Sequence, residues 1–263
     1  MTLPMFSPEH DPGPSFSDLL RRVGFEPPRA ETGELQITHG TTIVAIRYVD
    51  GVVMAGDRRA TEGYSIAQRA IEKVFPADRW SAVSIAGAAG PAMDMVKLFQ
   101  TELEHYEKVE GTPLSLEGKA NKLGGMIRQN LPMAMQGLAV VPIFAGYDLR
   151  RREGRIFKYD VTGGRYEEDD FHATGSGGRD ARTTIKLGFR DNLDRDAAIE
   201  LAVQGLYEAA DEDSATGGPD VVRGIYPTVA TITEPGFERV TEDEVAARFQ
   251  ALIERKRAEG HPA

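Results

Sequence analysis

Up to Gly40 the chain is polar, proline-bearing and weakly periodic; beyond it, apolar positions recur with clear strand and helix spacings. Prolines at 4, 8, 12 and 14 predict an irregular, mobile start. The stretch 15–23 places Phe16, Leu19, Leu20 and Val23 on one face of a short helix, with Ser15 or Ser17 as cap and Pro27-Pro28 as its end. Thr41 to Ile46 then alternates into a β-branched strand. An Asp50-Gly51 turn and a second apolar run from Val52 to Ala55 follow, which predicts a hairpin. The polar stretch 61–70 reads as a loop or strand edge, 72–76 as an extended segment ended by Pro76, and 82–86 as a buried strand.

Pro91 opens a helix carrying Met93, Val96, Phe99, Leu103 and Tyr106 at helical spacing, and a second helix spans Ser115 to about Met133 with Gly124-Gly125 inside it. Strands return at 138–147 and 155–160, with Gly163-Gly164 turning the chain toward Tyr166 and Phe171. Helices are expected from Arg179 to Leu187 and from Asp194 to Ala210, a strand pair over 222–232, a last helix from Glu242 to Arg257 and a frayed tail over 259–263. Strands, two helices, strands, two helices and strands again suit an α+β sandwich of antiparallel sheets covered by helices.

Composition narrows the chemistry. The net charge of −10 argues against a nucleic-acid partner, since phosphate binding needs a basic face. The absence of cysteine removes disulfides, thiolate metal sites and a cysteine nucleophile together. No apolar run is long enough for a bilayer span, and the first residues lack a signal-peptide pattern, so the expected location is the cytoplasm and no membrane partner. The five histidines are scattered without metal-ligand spacing, no phosphate-binding loop occurs, and Thr174 sits where a Gly-x-Ser-x-Gly elbow around Ser176 needs glycine.

A core strand that opens with Gly40-Thr41-Thr42 suggests a chain meant to begin there. Cleavage between Gly40 and Thr41 would free an α-amino group able to serve as base for the hydroxyl of its own residue, whereas the amide of the intact chain has no useful basicity. Gly40, lacking Cβ, lets the preceding peptide fold against that hydroxyl.

Four motifs, in order, carry a family resemblance: Thr41-Thr42-Ile43-Val44-Ala45, Gly56-Asp57-Arg58-Arg59-Ala60-Thr61, Ile71-Glu72-Lys73-Val74 and Ala86-Gly87-Ala88-Ala89-Gly90. Asp57 and Lys73 follow Thr41 by 16 and 32 positions. The chain resembles the catalytic β subunits of the 20S proteasome, most of all the actinobacterial type, from Thr41 to the final helix. The resemblance implies the four-layer αββα sandwich of N-terminal nucleophile hydrolases, a propeptide over 1–40 and a catalytic domain over 41–263. It also implies a threonine endopeptidase, made as a zymogen, that needs no metal or organic cofactor.

By that resemblance Thr41 is the nucleophile, Lys73 the charge that lowers the pKa at Thr41, Asp57 its orienting carboxylate and Gly87 the oxyanion donor. Ser176 lies near the threonine amino group, and Asp213 with Thr216 matches the family's aspartate and a hydroxyl three positions on, where many relatives carry serine. Asp211 is an alternative register, with Gly217-Gly218 favouring Asp213. Thr61, Gly87 and Ala89 would hold a substrate backbone as an added strand, and Ala60, Ile71, Ile85, Ala89 and Met93 would line an apolar specificity pocket. The implied partners are identical β subunits in heptameric rings, outer α rings, an ATPase ring, and unfolded or modifier-tagged proteins as substrates. The alternatives within this resemblance are a simpler dodecameric threonine peptidase and a silent architectural ring subunit; the first is disfavoured by the long leading segment and by Arg58-Arg59, the second by the presence of Thr41, Asp57 and Lys73 together.

Overall fold

The fold comes from a computed structural model that describes residues 40–260. The helix expected near 15–23 and the end of the frayed tail, 261–263, lie outside the described residues.

Two five-stranded antiparallel sheets stack face to face. The first has the order β10-β1-β2-β11-β12, built from β1 (Thr42–Tyr48), β2 (Gly51–Gly56), β10 (Phe171–Gly175), β11 (Thr228–Thr233) and β12 (Phe237–Arg239). The second runs β5-β6-β7-β8-β9, from β5 (Val74–Asp78), β6 (Ser81–Gly87), β7 (Val140–Asp148), β8 (Glu153–Tyr159) and β9 (Arg165–Glu168). A separate hairpin pairs β3 (Ala60–Glu62) with β4 (Ser65–Gln68), so the polar stretch after the first hairpin is a small sheet of its own.

The period-two pattern explains the stacking. In β1, Ile43 and Ala45 face the second sheet, with Val52, Met54, Ala82, Ile143 and Ile156 in the same inter-sheet cluster. Val44 and Ile46 face the other way, onto α4 (Gly178–Gly188), α5 (Arg195–Glu212) and, behind them, α6 (Glu242–Ala258). On the far side, Val83, Phe144 and Phe157 pack under α1 (Ala89–Glu110) and α2 (Leu116–Gln129). Central strands buried on both faces read as nearly continuous apolar runs, as β1 and β2 do. The product is the αββα sandwich.

Local chemistry moves several expected boundaries. Strand β5 runs through Pro76 instead of ending there, because it is an edge strand and one side of it needs no ladder donor. The helix expected to reach Met133 breaks at Asn130, and α3 (Leu131–Ala134) is a separate turn; Pro132 cannot supply the N–H a continuing helix requires. Residues 222–227 are not a strand: an Asp220–Ile225 bridge closes a turn with Val222 fully outside, and β11 begins at Thr228. The first hairpin turns at Val49-Asp50, and Gly51 keeps a negative φ as the first residue of β2. Its lack of Cβ serves close approach, since a methyl there would overlap the Ile232 carbonyl of β11. Gly124 similarly lets α2 approach the Gly163 carbonyl.

Candidate active site

Thr41 sits at the mouth of β1, where three segments converge. Its hydroxyl donates to the Gly40 carbonyl at 2.7 Å, and its N–H donates to Ser176 Oγ at 3.2 Å. The Thr41 carbonyl accepts from the Ser176 N–H at 2.8 Å. Gly40 N donates to Thr61 Oγ1 at 3.0 Å, which ties the residue before Thr41 to the β3 strand.

Asp57, directly after β2, is fully buried and accepts four hydrogen bonds. Oδ1 takes the Thr42 N–H at 2.7 Å and Lys73 Nζ at 2.6 Å; Oδ2 takes the N–H groups of Arg59 at 2.9 Å and Gly217 at 2.8 Å. Lys73 lies just before β5 and is 2% exposed. Besides Asp57, Nζ donates to the Arg59 carbonyl at 2.6 Å and to the Gly40 carbonyl at 3.3 Å, which accounts for its three protons. Burial pulls the Lys73 ammonium below its ordinary pKa and the Asp57 charge opposes that shift, leaving a cation held in place yet readier than an exposed lysine to give up a proton.

On the other side of Thr41, Asp213 caps the C-terminal end of α5, and Asp211 lies exposed on that helix. Burial pushes the Asp213 carboxyl up. Hydrogen bonds from the hydroxyls of Ser176 and Thr216 and from the N–H groups of Ala215 and Thr216 outweigh it and hold the group below its usual range. Thr216 Oγ1 donates to Asp213 Oδ2 at 2.6 Å.

A narrow recess opens beside Thr41. It is lined by Ala60, Thr61, Ile71, Lys73, Ile85, Ala86, Gly87, Ala89 and Ala92 together with Gly40 and Thr41. Gly87 carries φ of +106° at the end of β6, a conformation that favours glycine, and a Cβ there would overlap the Ala139 carbonyl. Met93 packs half-buried against the cluster under α1 and does not line this recess; Ala92, one position earlier on the helix, does.

Of the residues singled out from the sequence, Asp57, Lys73, Ser176, Asp213 and Thr216 are linked by hydrogen bonds around Thr41 and Thr42, and Met93 stands apart from the recess. The sequence reading does not find the Arg59 carbonyl that holds Lys73, because a backbone acceptor has no residue-type signature. It also misses Gly175, whose φ of +104° brings β10 against the Thr41 carbonyl.

Comparison with known proteins identifies the family. A model of the family described as proteasome subunit matches residues 37–223. The proteasome subunit beta of Acidimicrobium ferrooxidans is 61% identical over 262 residues, covering 97% of this chain and 96% of that protein. That of Streptomyces griseus is 60% identical over 224 residues, 85% of this chain and 80% of that protein. That of Acidothermus cellulolyticus is 55% identical over 259 residues, 94% and 89% respectively. With the match running from just before Thr41 through the Asp213 loop, the chain belongs to the proteasome subunit family.

Proposed function

We propose that this chain is the proteolytic β subunit of a 20S proteasome core, a threonine endopeptidase whose nucleophile is Thr41 after self-cleavage at the Gly40–Thr41 bond. The observation that carries the reading is the shared Gly40 carbonyl, which accepts both the Thr41 hydroxyl and the Lys73 ammonium. In maturation, Thr41 Oγ1 attacks the Gly40 carbonyl carbon and its proton leaves through a water, while the Lys73 ammonium donates to the Gly40 carbonyl oxygen as charge develops there. The C–N bond then breaks, Thr41 N takes a proton, and an ester joins Gly40 to Oγ1. Water hydrolyses that ester, giving the Gly40 carboxylate and a free threonine amino terminus. Residues 1–40 are the propeptide in this scheme.

In peptide hydrolysis the free α-amino group takes the hydroxyl proton, and the Lys73 charge lowers its pKa toward neutrality. Asp57 orients Lys73. Ser176 and Asp213 hold the amino group, and the Gly87 N–H faces the charge that develops on the carbonyl oxygen. Loss of the Gly40 carbonyl on cleavage leaves one Lys73 proton for a new acceptor, and Thr41 Oγ1, which shares that carbonyl with it before the cut, takes that place. Assembly with proteasome α subunits and further β copies follows from the family; rings of seven, an ATPase feeder and tagged substrates extend the same reading. Among the described residues no helix is long and apolar enough to cross a membrane.

The test is the intact mass of the assembled protein beside that of Thr41→Ala. Loss of residues 1–40 in the parent alone is the expected result. Retention in both after full assembly would leave a silent architectural subunit.

The recess makes a second prediction. Its walls, Ala60, Ile71, Ile85, Ala86, Ala89 and Ala92, offer methyl and alkyl surface, and its one charged side chain, Lys73, is already committed to Asp57. An acidic or basic side chain entering it would lose hydration without a partner. In a fluorogenic peptide panel, kcat/KM should favour an apolar residue before the cut bond by roughly tenfold or more over glutamate or arginine, the rate equivalent of a little over 1 kcal/mol. A flat panel, or a preference for charge, would remove this assignment.

A further inference from the structure

Thr42 has no part in the scheme above, yet it bonds directly to Asp57, Thr216 and Gly177. Its N–H donates to Asp57 Oδ1 at 2.7 Å, and its carbonyl accepts from the Asp57 N–H at 3.1 Å. Its side chain, fully buried, meets Thr216 Oγ1 at 2.6 Å and accepts from the Gly177 N–H at 3.0 Å.

The proton order in this chain of hydroxyls follows from its ends. A carboxylate only accepts, so Thr216 must donate to Asp213. The Thr216 hydroxyl has then used its one proton, so Thr42 must donate to it. Thr42 has used its own in turn, so its oxygen is free to accept from Gly177, as the geometry requires. The sequence Gly177 N–H to Thr42 to Thr216 to Asp213 is therefore unidirectional and satisfied at each step. It joins the turn carrying Ser176 to the loop carrying Asp213, with the joint made on the strand that carries Thr41. Space is closed around it: a Cβ on Gly177 would stand 2.7 Å from Thr216 Oγ1 and 2.8 Å from Thr42 Oγ1.

We propose that the Thr42 hydroxyl is a positioning residue for catalysis, fixing Ser176 and Asp213 together against the Thr41 nitrogen. It touches no substrate and acts only through those two groups. This rests on the reading of Thr41 as the nucleophile. Valine at position 42 keeps the β-branched shape that suits the strand but cannot donate to Thr216 or accept from Gly177, whereas serine keeps both bonds and loses only a methyl.

The experiment compares peptide hydrolysis by the assembled parent, Thr42→Val, Thr42→Ser and Thr42→Ala, with intact mass and thermal midpoint recorded for each. Thr42→Val should lower kcat by roughly tenfold or more with KM within about twofold, and Thr42→Ser should restore kcat to within about threefold of the parent. A loss of stability alone would lower the thermal midpoint and leave the kcat of the assembled fraction unchanged, and that result overturns the proposal. So does a serine variant as impaired as valine. If Thr42→Val does not assemble, the serine and alanine variants carry the same comparison. Failure of the underlying reading looks different, because the parent itself would then retain residues 1–40 and hydrolyse no peptide.

Discussion

Lys73→Met should lower peptide turnover by about a thousandfold and leave residues 1–40 attached, while the chain still folds. The rate expectation follows from the chemistry assigned to the ammonium: general acid–base assistance contributes roughly 10²–10⁴-fold, and here one group also sets the basicity of the α-amino terminus. Folding survives for a reason visible around Asp57. Removing one member of a buried ion pair commonly costs about 3–5 kcal/mol because the other charge is stranded. Asp57 is not stranded, since three backbone N–H groups from Thr42, Arg59 and Gly217 remain on its two oxygens. The variant should therefore keep its secondary structure and lose less stability than a stranded pair would. Intact mass and a fluorogenic peptide assay check both halves. Turnover within tenfold of the parent would remove Lys73 from the mechanism.

Gly175→Ala should have a comparable effect by another route. A Cβ at this position would overlap the Thr41 carbonyl oxygen, and φ of +104° is strained for any side-chain-bearing residue. The only relief is to move β10 away from the start of β1, and the Ser176 contacts to Thr41 move with it. Backbone strain alone costs about 1–3 kcal/mol, and the overlap adds to it. A fall in thermal midpoint of about 5 °C or more is expected, with loss of peptidase activity. Gly125→Ala is the matched control. Nothing lies within 4 Å of its would-be Cβ in the middle of α2, and replacing a mid-helix glycine gains up to about 1 kcal/mol of helix propensity. Its midpoint should stay level or rise.

These two positions also show what was legible in the sequence. Lys73 was readable because a charged residue at a fixed interval from Thr41 and Asp57 leaves a trace in residue type, and the long apolar runs of β1, β2, β6 and β7 announced central strands. Gly175 was not readable: the pattern around Ser176 looks like any flexible Gly-Ser-Gly turn, and its need for glycine arises from a carbonyl 134 positions earlier in the chain. Pro76 misled for a related reason, since whether a proline ends a strand depends on which neighbour that strand has. The Asp50-Gly51 pair carried a turn signal, yet Gly51 answers to the carbonyl of β11 on the adjoining strand. Thr42 was read as a strand-former, which it is, and its hydroxyl partners on two distant loops left no mark nearby.

The placement of β1 between β10 and β2 has a consequence for motion. Cleavage at Gly40–Thr41 would create a new chain terminus, and termini ordinarily fray within a few residues. This one would begin already paired on both sides, with the Thr42 amide held by a fully buried carboxylate and the Thr41 carbonyl held by Ser176. The second residue of the processed chain should then exchange its amide hydrogen as slowly as the middle of the sheet, on the timescale of global opening. A nucleophile that is also a chain end would in this way have the rigidity of an interior residue, anchored before the peptide ahead of it is cut.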